Sequence, residues 1–280
     1  MTVAERFAQA RPRLLRLAYS ELGDVSEAED IVQEAWLRLE RADSEAIENL
    51  DGWLTRVVAR LALDRLQSAR ARRETYVGPW LPEPLMGDDP ADRATLDESV
   101  SYALLTVLEQ LSPAERTAFV LHDVFDVPFG EIAEVVGRTP EAVRQLASRA
   151  RRHVKSESPR FAASRDEHDR AVRALAQAVA EGDLDALVAV LDPDVVWTSD
   201  GGGRVSALRH PLHGGERVAR AWVALGRRSV SEPIEIEFNG GLGLVVPSRD
   251  GHRAALSFVV SEGRITRIDA IRNPEKLQRL

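Results

Sequence analysis

Apolar residues in the first part of the chain recur at the spacing of an α-helix. Within residues 1–75, three stripes are centred on Leu14, Ile31 and Val57, and each repeats every three or four residues. This period is that of a helix with one buried face. Residues 26–29, Ser-Glu-Ala-Glu, have the form of a capping box and predict the start of the second helix. The pattern therefore predicts a helical domain over residues 1–75.

Residues 111–153 show the same spacing in three segments with strong start and stop signals. Residues 112–115, Ser-Pro-Ala-Glu, predict a capping box with proline at the first helical position. Pro128 starts the second segment, Gly137 ends it, and Thr139 then caps a third, basic segment. Two short helices, a glycine turn and a basic second helix are typical of a helix-turn-helix motif, whose second helix enters the DNA major groove. A plain three-helix packing unit is the alternative.

The third segment has an apolar face and a polar face. Arginine on the polar face favours DNA, because arginine can bond guanine with two hydrogen bonds. Glu141 has two open interpretations: it accepts a hydrogen bond from cytosine, or it favours the helix dipole. The residues outside the apolar face are Arg144, Gln145, Ser148, Arg149 and Arg152.

The composition changes between residues 76 and 98. This stretch has four prolines and two glycines, and its single basic residue, Arg93, stands among six acids. Such a composition predicts an extended acidic linker that cannot bury a core. A second, shorter linker is expected over residues 157–165.

Beyond residue 166 the pattern changes from helices to strands. Two helical stripes are predicted to end at Gly182 and Pro193, and period-two alternation follows in residues 234–238 and 256–260. Glu262-Gly263 predicts a hairpin turn into the last strand. Helices followed by mostly antiparallel strands indicate a separate α+β domain.

The charge of the chain argues against a protein that binds DNA alone. The formal net charge of the 280 residues is −8 and the pI is about 5.4, whereas phosphate attraction supplies most non-specific DNA affinity. Either the DNA contact is local, or another protein supplies most of the affinity. The chain has no cysteine, so no disulfide or thiolate metal site is expected. It has neither a membrane-length apolar run nor a secretory signal, so we expect a soluble cytoplasmic protein.

The segments AEDIVQEAWLRL, WLTRVVARLALDRLQSARARRE and LSPAERTAFVLHDVFDVPFGEIAEVVGRTPEAVRQLASRARRHV, in this order, resemble an extracytoplasmic-function RNA polymerase sigma factor. The resemblance implies a region-two domain over residues 1–75 and a region-four domain over residues 99–156, both all-α. It also implies core RNA polymerase and promoter DNA as partners. The polymerase surface would include Asp30, Gln33, Glu34 and Trp36. The −10 element would be read by Arg56, Arg60, Arg65, Arg70, Arg72 and Arg73. The −35 element would be read by Thr139, Pro140, Glu141, Arg144, Gln145, Ser148, Arg149 and Arg152.

One departure limits this transfer of roles. The family commonly has asparagine in the middle of the second segment, where this chain has Arg60 and Leu61. Individual −10 contacts therefore do not carry over by position. The resemblance implies that the acidic linker threads toward the RNA path of the polymerase, and a solvated tether is the alternative.

Three short motifs, WLPEPL, DGGGR and NPEKL, resemble the subgroup of these sigma factors with a fused SnoaL-like domain, here residues 166–280. The subgroup usually has aspartate at the position of Glu275. The implied fold is an α+β cone after the two all-α domains. We hypothesise that Trp80 enters a groove on the cone, so that the cone regulates the sigma half in cis. The residues of this contact would be Trp80, Leu81, Pro82, Asp200, Gly201, Gly202, Gly203, Asn273, Pro274, Lys276 and Leu277.

Two other function classes stay open on the sequence. A helix-turn-helix repressor with a ligand-sensing domain would bind a palindrome as a dimer without polymerase. A SnoaL-like enzyme with a DNA-binding appendage would use acids and histidines by residue type alone, and these are Asp200, His210, His213, His252 and Asp269. No metal-ligand spacing and no cofactor motif is evident. We favour a non-enzymatic sigma factor that is monomeric when free, and leave open a small-molecule ligand in the cone.

Overall fold

The computed structural model describes residues 2–43, 47–73, 76–85, 100–157, 163–226, 232–247 and 251–278. Contact clustering divides the chain into two compact units. The helical unit takes the described residues up to 73, Val100 and residues 104–157. The sheet unit takes residues 76–85, 101–103 and the described residues from 163 onward. The first part of the predicted acidic linker therefore belongs to the sheet unit.

The first three helices of the helical unit are α1 (Val3–Leu22), α2 (Val25–Arg41) and α3 (Leu50–Arg73). Helix α1 ends at Gly23, which has the left-handed conformation at φ 66°. The capping box predicted at residues 26–29 is wrong. Asp24 caps α2 instead, because its side chain accepts the Glu27 amide at 2.8 Å and the helix has already begun at Val25.

The second group of helices is α4 (Tyr102–Leu108), α5 (Pro113–Phe119), α6 (Phe129–Val136) and α7 (Pro140–Glu157). The capping box of α5 and the glycine stop of α6 at Gly137 are confirmed. Two details differ from the prediction of three short helices. A π-helical turn, Val120–Val124, extends α5, and α7 is 18 residues long. None of the described helices of the protein is long and apolar enough to cross a membrane.

The sheet unit begins with α8 (Arg165–Glu181) and α9 (Leu184–Val190) and continues with α10 (Gly215–Gly226) after the first two strands. The described strands form a six-stranded sheet in the order β2-β1-β6-β5-β4-β3, with only β1 and β6 parallel. Their bounds are β1 Leu191–Asp200, β2 Leu212–His213, β3 Ile234–Phe238, β4 Gly241–Pro247, β5 Arg253–Ser261 and β6 Arg264–Ile271. A 3₁₀-helix, Pro274–Leu277, follows β6.

One helix end in this unit differs from the prediction. The stripe expected to run to Pro193 ends at Val190, and Leu191 is already extended at φ −87°, ψ 143°. Pro193 disfavours helical backbone in the residue before it, Asp192, so the helix is not expected to reach the proline. The predicted hairpin at Glu262-Gly263 is confirmed, since both residues have positive φ (52° and 72°) and join the paired strands β5 and β6.

The sheet buries apolar side chains on both of its faces. The main core contains Leu175 of α8, Trp222 of α10 and Phe258 of β5. A second cluster on other strand positions contains Leu81, Tyr102, Ala255, Ile271 and Leu277. The expectation that the linker cannot bury a core is therefore wrong for Leu81, which is 1% exposed.

Candidate DNA-reading faces and linker site

The exposed face of α7 carries the residues expected to read the −35 element. Thr139 caps the helix by accepting the Ala142 amide at 3.3 Å. Val143, Leu146, Ala147 and Ala150 are buried, whereas Glu141, Arg144, Gln145, Ser148, Arg149 and Arg152 are exposed. Arg149 pairs with Glu115 at 2.8 Å, and both side chains keep solvent contact. Exposed pairs of this kind contribute about 0–1 kcal/mol, so DNA phosphate can replace the carboxylate.

The predicted −10 residues of α3 are engaged differently. Arg65 lies 3.8 Å from Glu27 of α2. Arg56 lies 3.5 Å from Glu131 of α6, and Arg60 donates to the backbone oxygen of Val135, also in α6, at 2.7 Å. The side chains of Arg70, Arg72 and Arg73 lie outside the described residues.

A cavity of about 340 Å³ lies beside these arginines. One wall is formed by α2 and α3, and Glu134 and Val135 of α6 form the other. Its lining residues are Arg38, Trp53, Arg56, Val57, Arg60, Glu134 and Val135. The face of α3 expected to meet DNA is therefore partly closed by α6.

The predicted polymerase surface is divided between solvent and core. Asp30 and Gln33 are exposed on α2, and Glu34 pairs with Arg38 at 3.0 Å. Trp36 packs on Phe7 of α1, with ring centroids 4.9 Å apart. An acidic and amide-bearing strip of α2 remains accessible to a partner.

A buried polar cluster joins α1 to α5, and sequence reasoning missed it. Ser20, Glu21, Arg116 and Thr117 are at most 2% exposed. Arg116 donates to the Ser20 carbonyl oxygen at 3.3 Å and binds Glu109, and Thr117 donates to Glu21 Oε2 at 3.0 Å. Burial raises the pKa of Glu21 to about 7, against opposing effects of the Arg116 charge and the Thr117 bond. No sequence pattern signalled this cluster, because its members belong to different helices.

Asp200, at the end of β1, is the centre of the linker site. It is fully buried. Its Oδ1 accepts hydrogen bonds from the Tyr76 hydroxyl at 2.6 Å and the Gly202 amide at 3.0 Å. Its Oδ2 accepts from the Leu81 amide at 2.9 Å and the Lys276 ammonium at 2.7 Å. One carboxylate thus binds the linker at two points and the DGGGR and NPEKL motifs at one point each.

Lys276 completes the charge pair and extends the contact to the linker aromatics. Its ammonium lies 3.8 Å from the ring centroid of Trp80 and 5.5 Å from that of Tyr76, and it also binds the Leu81 carbonyl oxygen. Burial, the hydrogen bond to Asp200 and the charge of Asp200 raise the pKa of Tyr76 above its ordinary value. The Tyr76 hydroxyl therefore remains a donor across the ordinary pH range.

The glycines of DGGGR allow the close approach of the NPEKL motif. Gly202 has φ 62°, and a Cβ at this residue would lie 2.6 Å from the side chain of Asn273. A Cβ at Gly201 would lie 2.5 Å from the Val205 carbonyl oxygen. Asn273 donates from its side chain to the Tyr76 hydroxyl at 3.1 Å and from its backbone to the Asp200 carbonyl oxygen at 2.9 Å. The proposed contact residues of all three motifs are thus brought together.

Whereas Trp80 is only partly buried, Leu81 is buried, with 1% of its surface exposed. Its neighbour Pro82 accepts a hydrogen bond from the Tyr102 hydroxyl at 2.9 Å. Leu85 exchanges two hydrogen bonds with Asn239, the residue after β3, at 3.0 and 3.1 Å. Tyr76, Tyr102 and Asn239 were not predicted as contact residues, because tyrosine and asparagine outside a motif carry no distinguishing signal. Leu85 was not predicted as one either, although it is the last residue of WLPEPL.

Four of the residues proposed for an enzyme are either engaged by other side chains or exposed to solvent. Asp200 is saturated by the linker contacts, and Asp269 binds Arg267 at 2.9 Å. His210 and His213 are exposed. Within the described ranges, no group of histidines and acids could hold a metal ion.

Comparison with known proteins matches three families to separate parts of the chain. These are Sigma-70 region 2 over residues 7–72, Sigma-70 region 4 over residues 101–154 and the SnoaL-like domain over residues 172–261. The chain is 41% identical to ECF RNA polymerase sigma factor SigJ of Mycobacterium tuberculosis, over 99% of this chain and 93% of that protein. It is 39% identical to the probable ECF sigma factor SigI of the same species, over 96% and 93%. The crystal structure of M. tuberculosis SigJ matches with a TM-score of 0.81 at 38% identity, over 99% of this chain and 98% of that one.

Proposed function

Because the chain belongs to the extracytoplasmic-function RNA polymerase sigma factors, we propose that its SnoaL-like part controls it in cis by holding the linker. As a sigma factor, the protein binds core RNA polymerase and promoter DNA and directs promoter-specific initiation. Membership in this family also accounts for the acidic charge, because a sigma factor acquires much of its DNA affinity from the polymerase.

The observation that carries the cis control is the saturation of Asp200. Its two oxygens take four hydrogen bonds, two of them from the linker residues Tyr76 and Leu81. Removing one partner from a buried ion pair costs about 3–5 kcal/mol, because it leaves the other charge buried without compensation, so loss of either Asp200 or Lys276 alone is expected to destabilise this site. We call the contacts of residues 76–85 with Asp200, Lys276, Asn273 and Asn239 the latch.

The latch acts on the spacing of the two DNA-reading helices. The linker connects α3, assigned to the −10 element, with the helices that carry α7, assigned to the −35 element. Docking residues 76–85 on the sheet unit removes those residues from the free length that joins them. A domain tethered in the same chain binds at an effective concentration that is often about millimolar, so the latch can form without high intrinsic affinity.

The residue roles proposed within the sigma part combine the family resemblance with the solvent exposure of the side chains. We assign −35 reading to the exposed face of α7 and −10 reading to the arginines of α3. The exposed strip of α2 around Asp30 and Gln33 is assigned to the polymerase. On these faces, the described guanidinium groups of Arg56, Arg144 and Arg149 either are solvent-exposed or are paired through a partly exposed contact that phosphate can replace.

The sheet unit is assigned a regulatory rather than a catalytic role. Asp200, which by residue type could take part in proton transfer, has its oxygens committed to four donors.

A small-molecule ligand is supported by one observation. The indole nitrogens of Trp197 and Trp222 are buried without a hydrogen-bond partner among the described residues, and their rings lie 5.8 Å apart. An acceptor-bearing molecule would satisfy them, and it would affect the latch only by binding the latched and released forms differently. Native mass spectrometry that finds no co-purified molecule would count against it.

In-vitro transcription tests the cis control. The full chain is assayed with core RNA polymerase on a randomised promoter library, and transcript 5′ ends are sequenced. Asp200→Ala, which breaks the latch, is compared with Asp185→Ala, which removes an exposed aspartate of α9. Transcript yield is expected to change severalfold for Asp200→Ala alone, with the same start sites. Unchanged yield from a variant whose linker exchanges amide hydrogens freely would contradict cis control. Absence of promoter-specific starts in every form would contradict the assigned DNA-reading faces.

A further inference from the structure

Helix α6 binds two of the arginines on the −10-reading face of α3. Arg60 donates to the Val135 carbonyl oxygen at 2.7 Å, and Arg56 lies 3.5 Å from the Glu131 carboxylate. Glu134, which directly precedes Val135 in α6, lines the cavity beside these arginines. Both arginine side chains keep more than a third of their surface in contact with solvent.

The groups that α6 offers are electrostatic substitutes for phosphate. Val135 is in the last turn of α6, where carbonyl oxygens lack helical partners and the helix dipole is negative. Arg60 therefore caps the helix with a charge of the favoured sign. Glu131 and Glu134 add two carboxylates. These oxygens resemble the phosphate oxygens of a DNA backbone, so two arginines suited to bind phosphate can also bind α6.

The contacts of α6 with α3 form one seam between the first three helices and the helices that follow residue 100. A second seam joins α1 to α5. Arg116 of α5 binds the Ser20 carbonyl oxygen of α1, and Thr117 binds Glu21. Arg16 of α1 lies over the Phe125 ring at 5.3 Å. The contact of α6 with α3 is therefore one end of a continuous interface and does not depend on two exposed ion pairs alone.

This closed arrangement is incompatible with reading both promoter elements at once. The −35 and −10 elements are about 25 base pairs apart, which is about 85 Å of B-form DNA at about 3.4 Å per pair. In the helical unit, α6, which packs against the −35-reading helix α7, touches α3 directly. The two parts must separate before the two helices can occupy their elements.

We propose that α6 is an autoinhibitory occupant of the −10-reading face, which keeps Arg56 and Arg60 from nucleic acid until the sigma part opens. The proposal rests on the assignment of α3 to the −10 element. It adds a level of control inside the sigma part, separate from the latch. In this proposal, the Glu131 carboxylate and the Val135 carbonyl oxygen of α6 compete with the phosphates of a DNA strand for the two arginines.

The opening is measured by double electron–electron resonance on the full chain. Because the chain has no cysteine, Ser26→Cys and Lys155→Cys place two labels at exposed residues of α2 and α7 without further changes. Glu131→Gln combined with Thr117→Val weakens both seams and is expected to add a longer-distance population. Glu131→Gln alone, which removes one half-exposed carboxylate and leaves the core intact, is expected to give a smaller shift. Glu40→Gln makes the same charge change at an exposed position of α2 and is expected to give none.

Nucleic-acid binding by the free chain is measured with a random-sequence single strand. The opened variant is expected to bind several-fold more tightly than the wild type. Its log affinity against log salt should steepen by about 1.4, since each of two freed arginines adds about 0.7. Adding Arg56→Ala and Arg60→Ala to the opened variant should abolish the gain.

The outcomes separate the two proposals. If the Gln and Val changes alter neither distance nor affinity, autoinhibition by α6 is wrong whatever α3 does on DNA. If the labels separate but the arginine changes leave nucleic-acid binding intact, the assignment of α3 is wrong. An equal gain in affinity from Glu40→Gln would mean that net charge, and not α6, limits binding.

Discussion

Glu21 should make the stability of the helical unit depend on pH. The carboxyl is fully buried, and burial raises its pKa from 4.5 to about 7. The folded state therefore binds a proton that the unfolded state releases between these values. The resulting stabilisation is present at pH below about 5 and is lost as the pH rises through 7. Glu21→Gln carries no titrating proton, so it should lack this dependence.

The magnitude follows from linkage between the two pKa values. Between pH 5.5 and pH 8.5, the loss of the bound proton amounts to about 2 kcal/mol of stability, since one pKa unit corresponds to about 1.4 kcal/mol. The Glu21→Gln variant should be less pH-dependent than the wild type by this amount. It should also be the more stable of the two at pH 8.5, where the wild type buries a carboxylate whose Oε1 has no partner among the described residues.

Hydrogen exchange of α1 and α5 amides is the suitable assay, because it reports on the helical unit separately from the sheet unit. Free energies of opening are compared at pH 5.5 and 8.5 after correction for the intrinsic exchange rate. Glu40→Gln, at an exposed position of α2, is the matched control and should follow the wild type. Parallel pH profiles of the wild type and Glu21→Gln would show that the Glu21 carboxyl does not titrate as argued.

Three further predictions concern the latch and can be checked by hydrogen exchange of residues 76–85 in the full chain. Leu81→Ala should release the linker, because removing a fully buried leucine side chain costs about 2–5 kcal/mol; a variant as protected as the wild type would contradict its role as anchor. Gly202→Ala should do the same through collision with Asn273, whereas Gly182→Ala, also at positive φ but with no atom near the new Cβ, should leave the linker protected. Asp200→Ala should release the linker more than Lys276→Met, because Asp200 takes two linker hydrogen bonds, whereas after Lys276→Met the carboxylate keeps its three other donors; equal or reversed effects would contradict the central role of the carboxylate.

Local signals account for most of the fold that was predicted correctly. Ser112, Gly137 and Thr139 act within one turn of a helix, so their effects can be read without knowing what packs against them. The Glu262-Gly263 hairpin and the alternation of β5 have the same local origin. The errors also concern local features. The capping residue of α2 is Asp24, two positions before the predicted Ser26, and α9 ends at Val190 rather than at Pro193.

The sites were predictable to different extents. The exposed face of α7 follows from helical spacing, and the linker contact residues follow from three recognisable motifs. The deep burial of Leu81 and the contributions of Tyr76, Tyr102 and Asn239 did not follow. They depend on which face of a curved sheet remains free after the helices have packed on the other, and no single segment encodes that choice.

The sequence alone predicts most helices of the sigma part, the strands β3, β5 and β6, the family, and the arginines proposed to read DNA, because each depends on residues that are close together in the chain. The contacts of Arg56 and Arg60 with α6, and of Asp200 with the linker, are visible only in the folded protein. Those contacts join residues 75 to 124 positions apart. The contacts of Asp200 also depend on burial, which supplies the low dielectric that strengthens the binding of a carboxylate to an ammonium and a backbone amide. The sequence thus shows what the arginines are suited to bind, and the fold shows what they bind in the free chain.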